Sequence, residues 1–189
     1  MSRVGVIVGE IPVLLSAPHS RMHVRNGSQK MPECRTDEIV IEVAKQTGCS
    51  AIYLQEEVDY DPNHEDCEYR RFLDNLIVQH GIVLVLDIHG AKATHSFDID
   101  IGTGPDYEGK EPFIAQVREE MSKGISNVTV DKVFPARKTD TITKYVVRNY
   151  QIHSVQLEIN RNIRLDDSMM RIVLENLKNI VMKIGTLYQ

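Results

Sequence analysis

Ile82-Val83-Leu84-Val85-Leu86-Asp87-Ile88-His89-Gly90 is the stretch that decides the fold. From Ile82 to Ile88 it is apolar almost without interruption and lacks the polar alternation of a half-exposed strand. Such a run belongs to a central strand covered on both faces, as in a largely parallel sheet packed between helices. It ends on an imidazole, followed by a glycine that lets a ligand approach the backbone closely. Side chains at the carboxyl ends of strands in an open α/β sheet share one crevice, where such folds keep their sites.

Two other segments repeat this arrangement. Ile11 to Ala17 reads as a strand that runs into Pro18-His19-Ser20, and Val155 to Ile159 reads as a strand that carries Glu158 and runs into Asn160-Arg161. Further strands are expected over Ala51 to Leu54, Phe97 to Ile101 and Val128 to Phe134. Helices are expected after an N-cap at Thr36, with Asp37 and Glu38 in the first turn, and over Tyr69 to His80, Pro112 to Lys123, Thr139 to Tyr150 and Asp166 to Leu187. The polar stretch from Arg21 to Arg35 reads as a long surface excursion of the kind that carries function. Alternating strands and helices predict a three-layer α/β domain spanning residues 1–189.

Composition narrows the function. The net charge of −5 argues against nucleic acid as a partner, which would want a basic face. No tract approaches the ~20 apolar residues of a membrane span, and no signal peptide is visible. Cys34, Cys49 and Cys67 form no CxxC pair. Their odd number suits a reducing compartment, so a cytoplasmic protein is expected.

His19 and His89 at equivalent strand ends suggest a catalytic zinc, which takes three protein ligands and keeps one position open. The third ligand should be a carboxylate. Asp37 and Glu38 are the candidates, because the helix they open can begin beside the strand that delivers His19. The alternative for each histidine is a polar cap on a strand end. Glu158 is an acid in an apolar strand, a costly placement unless it is paired or used. It is either a general base beside the metal or the ion-pair partner of Arg161 or another base. Arg70, Arg71, Arg137, Lys138 and Arg161 are available to hold an anion or polarise a carbonyl. Gly102-Thr103-Gly104 is no phosphate loop, since no Lys-Ser/Thr follows it. His23, His64 and His95 lie on polar segments and read as surface residues, the last two also as candidates for proton handling.

The ordered set Ser16-Ala17-Pro18-His19-Ser20, Thr36-Asp37, Asp61-Pro62-Asn63, Asp87-Ile88-His89, the Gly-Thr after Asp98 to Ile101, and Val155 to Arg161 resembles the N-formylglutamate amidohydrolase family. That family is related in fold to zinc carboxypeptidases and the aspartoacylase group. The resemblance implies a phosphorylase/hydrolase-like fold with a mixed, largely parallel sheet flanked by helices. It implies one Zn2+ held by His19, His89 and an acid opening the first helix, Asp37 in preference to Glu38. Glu158 matches the general base, and the implied substrate is a small N-acyl amino acid, with N-formyl as one case. The chain departs from the family at one point. An Asn-Arg pair that looks like the clamp for a substrate carboxylate is here Asn63-His64, which leaves Arg70, Arg71 or Arg137 to replace the arginine. A carboxypeptidase-like peptidase or another deacylase is a second reading, and a non-catalytic binding protein on the same fold is a third.

Overall fold

The computed structural model describes residues 2–64, 66–105 and 109–185. At its centre is β6 (Leu84–Ala91), the apolar run read from the sequence. It pairs in parallel with β2 (Ile11–Ala17) on one side and with β9 (His153–Asn160) on the other. Beyond β2 lie β5 (Cys49–Leu54), parallel to it, and β1 (Val4–Ile7), antiparallel to β5 at the edge. Beyond β9 lie β7 (Ile99–Thr103), antiparallel to it, and β8 (Val128–Val130), parallel to β7. The result is a seven-stranded mixed sheet, and a separate hairpin of β3 (His23–Arg25) and β4 (Ser28–Lys30) folds over one end.

Helices cover both faces because the central strands are apolar on both. Along β2, Val13 and Leu15 join the core under α1 (Thr36–Thr47), α3 (Glu111–Met121) and α6 (Asp167–Gly185), while Leu14 joins the core under α2 (Glu68–Gln79) and α4 (Ile142–Tyr150). This is the period-two alternation of a strand between two layers. A short helix, α5 (Arg161–Leu165), leads from β9 into α6. No described helix is long and apolar enough to cross a membrane.

The expected elements are present with shifted ends. The first helix is capped by Arg35 in the left-handed conformation rather than by Thr36, whose hydroxyl instead donates back to the Glu33 carbonyl at 2.8 Å. The last helix is described to Gly185, and the expected end at Leu187 lies outside the described residues. The long excursion holds the β3–β4 hairpin, and β1, too short to announce itself in the sequence, closes one edge of the sheet.

The strand expected from Val128 to Phe134 stops at Val130. A buried carboxylate explains this. Asp100 in β7 accepts from the Thr129 hydroxyl at 2.7 Å and from the amides of Lys132, Val133 and Phe134 at 3.1, 2.8 and 3.0 Å, so those amides turn away from a sheet ladder. Removing an acceptor from several inward donors leaves each to be buried unpaired. We predict that Asp100→Ala lowers stability by about 2–4 kcal/mol, read as a shift of the urea midpoint. An unshifted midpoint would mean that this carboxylate does not hold the turn.

Candidate active site

The three adjacent parallel strands β2, β6 and β9 bring their carboxyl ends together. His19 follows β2 through Pro18, and His89 in β6 lies directly opposite Glu158 in β9 in the strand register. All three side chains are buried. The two imidazole rings stand edge to face with centroids 4.9 Å apart.

A carboxylate sits between them, and it is Glu33. One of its oxygens is 3.2 Å from His19 Nδ1, and the other is 3.3 Å from His89 Nδ1. That second oxygen also accepts from the Gly90 amide at 2.8 Å. His19, Glu33 and His89 together offer three atoms spaced to hold one metal ion. Neither carboxylate expected from the sequence is there. Asp37 accepts from Arg21 at 2.7 Å and Glu38 from Arg35 at 2.8 Å, so both are engaged along the start of α1. The chain makes its approach before the helix begins. The Glu33 amide donates to the His19 carbonyl at 2.9 Å, and this backbone bond lays the end of the excursion against the histidine.

Arg164 fixes the same approach from below. It is buried, and its guanidinium donates to the carbonyls of Ile159 at 3.0 Å, Ala91 at 3.1 Å and Cys34. One cation thus ties the ends of β6 and β9 to the residue after Glu33. It lies flat on Gly90, where a Cβ would stand 2.6 Å from the guanidinium carbon, so only glycine leaves room for it.

The far nitrogens of the imidazoles also face carboxylates. His19 Nε2 is 3.0 Å from Asp61 and His89 Nε2 is 3.2 Å from Asp87. Each ring thus stands between two carboxylates, and Arg25 Nη2 also reaches His19 Nε2 at 3.0 Å, while His89 Nε2 makes no hydrogen bond of good geometry. Carboxylates on both sides favour positive charge on or between the rings. Asp61 is held by Arg25 and by the Asn63 amide, and Asp87 by the Ser16 hydroxyl and the Thr143 amide. Burial opposes charge on each member of the cluster, but the partners outweigh it. Asp61 and Glu33 together raise the His19 pKa, Asp87 and Glu33 raise that of His89, and the two histidines hold Glu33 well below the usual carboxylate range.

Glu158 behaves in the opposite way. Burial pushes its carboxyl up to about 7, against the pull of His89, and its hydrogen bond comes from Gln156 Nε2 at 2.8 Å. Arg161 is exposed, so the structural ion pair considered for these two residues does not form.

The other candidates separate into those near the cluster and those away from it. Arg70 is buried, donates to the carbonyls of Pro62 and Asn63, and lies 4.0 Å from the Tyr145 ring centre. It shapes the loop that carries Asp61. Arg71 is exposed on α2, and Arg137 is bound to Asp131 and Thr103, away from the histidines. Asn63 and His64 line a hollow of about 440 Å³ together with Arg70. His64 lies 3.4 Å from Asp61, the carboxylate that also contacts His19.

His23, expected at the surface, is buried and stacked on His19 with centroids 4.2 Å apart. Burial pushes its pKa down to about 4. His95 packs against Phe97 and Phe134. Glu33 and Arg164 escaped the reading of the sequence. One signal was present for Glu33, the lone acid among Arg21, Arg25, Lys30 and Arg35 in the excursion.

No family model matches the chain, and no curated protein matches it in sequence. Solved structures do match. N-formylglutamate amidohydrolase from Ralstonia eutropha JMP134 superposes with a TM-score of 0.68 at 12% identity, over 99% of this chain and 98% of that one. The chain shares the fold of that amidohydrolase. A bacteriophage poly-gamma-glutamate hydrolase gives 0.57 at 16% identity, over 98% of this chain and 88% of that one. A metallo-carboxypeptidase from Burkholderia cenocepacia gives 0.63 at 10%, with this chain covering 57% of its length. At these identities the likeness is one of fold, and it agrees with the mixed sheet between helices.

The Glu158 shift has a measurable consequence in metal-free protein. A carboxyl whose folded pKa is about 7 against 4.5 unfolded binds its proton more tightly when folded. Its contribution is therefore most favourable below 4.5, declines as pH rises through 7, and is flat above. Glu158→Gln removes this penalty. We predict that the variant gains up to about 3 kcal/mol over the native chain between pH 4.5 and 8, read by urea denaturation across pH. A stability difference independent of pH would show that Glu158 is not held in a penalising site.

Proposed function

We propose that this chain is a metal-dependent amide hydrolase in which His19, Glu33 and His89 hold one zinc ion and Glu158 serves as general base. The observation that carries the reading is the convergence of His19, Glu33 and His89 on one point. Two Nδ1 atoms face the two oxygens of one carboxylate, while both opposite nitrogens face aspartates. Such a set is stable only with positive charge at its centre, supplied by protons on the imidazoles or by a cation. Two histidines and one carboxylate with an open side form a donor set suited to catalytic zinc. The names of the three similar structures, two amide hydrolases and a metallo-carboxypeptidase, support the same class.

When bound, zinc would lower the pKa of water and polarise a carbonyl. The chain's own residues supply the rest. Asp61 and Asp87 stand behind the two imidazoles and would orient the rings. Glu158, buried opposite His89 and with a carboxyl near 7, is suited to take a proton from water and hand it to the leaving nitrogen as the C–O bond forms and the C–N bond breaks. Asn63 and His64 line the hollow beside Asp61 and would bind the substrate, here an N-acyl amino acid or a longer amide. Arg70 holds their loop. Arg71 and Arg137 have no part in this reading.

Metal content separates the ligand sets. Glu33→Gln should purify with its bound zinc largely lost, while Asp37→Asn should retain about one equivalent, both measured by elemental analysis. Zinc retained by the first and lost by the second would return the ligand to the start of α1. For turnover, Glu158→Gln should keep the metal and lose about 10²–10⁴-fold in kcat on an N-acyl amino acid panel. Native-like turnover in that variant would remove Glu158 from the chemistry.

A further inference from the structure

A second hollow, of about 690 Å³, opens on the other side of the cluster, between the β3–β4 hairpin and the end of β6. Glu33 and His23 lie in its wall, so whatever fills it reaches Glu33, one of the three residues proposed to hold the metal. Its charge is the reverse of the chain's. The protein carries 27 acids against 22 lysines and arginines, yet Glu33 is the one carboxylate among the residues lining this cleft.

Arg25, Lys30, Lys92 and Arg161 stand around it. Lys30, Lys92 and Arg161 are exposed and, among the described residues, form no ion pair. Arg164 also borders the cleft but is committed to its three carbonyls. Unpaired cations along one low-lying groove raise the local concentration of anions and orient them.

The two hollows share no lining residue. Asp61, buried between them, contacts Arg25 from one and His64 from the other. Each is large enough for a drug-sized ligand, more room than a single formylated amino acid needs. The basic cleft has no aromatic platform apart from His23, whose ring is stacked on His19. Nucleic-acid grooves combine cations with bases stacked on aromatic rings, so the cleft is better matched to carboxylates on a peptide-like chain.

We propose that the substrate is a peptide-like chain bearing several carboxylates, with its acidic part bound between the hairpin and β6 by Lys30, Lys92 and Arg161. This rests on the amide-hydrolase reading, but its test requires no turnover. Fluorescein-labelled hexaglutamate and hexaglutamine would be titrated onto the Glu158→Gln protein at low and high salt, by fluorescence polarisation. Hexaglutamate should bind at least about tenfold more tightly than hexaglutamine at low salt, and salt should erase the difference. The triple substitution Lys30→Glu, Lys92→Glu, Arg161→Glu should abolish the preference while leaving zinc content and thermal midpoint in place.

Equal affinity for the two peptides, an unchanged preference in the triple variant, or tighter binding of a single-stranded oligonucleotide than of hexaglutamate would each overturn the proposal. Hexaglutamate binding in a protein whose native form hydrolyses no amide would overturn the enzymatic reading alone. Hydrolysis of small amides without the glutamate preference would overturn this one alone.

Discussion

The constraint that organises this molecule is electrostatic. Two buried imidazoles face the two oxygens of one carboxylate at 3.2 and 3.3 Å. Acceptors do not gather in a protein interior without positive charge to share, because each would otherwise be desolvated without compensation. The surroundings enforce the arrangement. Asp61 and Asp87 occupy the far nitrogens, Gly90 donates its amide to Glu33, and the Glu33 amide bonds to the His19 carbonyl. Proton or metal, a cation is required at the focus, and the proposed activity follows from which of the two it is.

Rigidity around that focus comes from two buried arginines used in the same way. Arg164 gathers carbonyls from β6, β9 and the segment after Glu33, and Arg70 gathers carbonyls from the loop that carries Asp61. A guanidinium is suited to this, since its donors spread in a fixed plane and it stays charged at low hydration cost. Each frames one side of the site without presenting its charge to a ligand. Exposed cations surround the basic cleft, and the exposed Arg148 borders the other hollow.

The sheet supplies the platform. β2, β6 and β9 are parallel neighbours, so residues at their carboxyl ends are brought side by side from distant parts of the sequence. β7 runs the other way, and its Asp100 lies opposite Glu158 in register while its carboxylate gathers the amides of the turn after β8. Buried polar groups are costly, and here they are concentrated where the backbone can satisfy them or where chemistry can use them.

Much of this was written locally. The unbroken apolar run ending in Ile88-His89-Gly90 fixed a central strand, and the strand-to-His19 and strand-with-Glu158 segments placed three polar groups at one edge of the sheet. Those readings needed only side-chain periodicity and the rule that parallel strands share an end. The third carboxylate was not legible in this way. Helix-start chemistry favoured Asp37 and Glu38, but Arg21 and Arg35 take them, and the bend of the preceding excursion delivers Glu33. That bend depends on a backbone bond to His19 and on an arginine from near the other end of the chain, contacts with no local signature. The same holds for His23, whose polar neighbours suggested the surface until the hairpin folded it against His19. Sequence determined which strands carry the chemistry. Tertiary structure decided which acid joins it, because a loop's path is set by distant partners and not by its own residues.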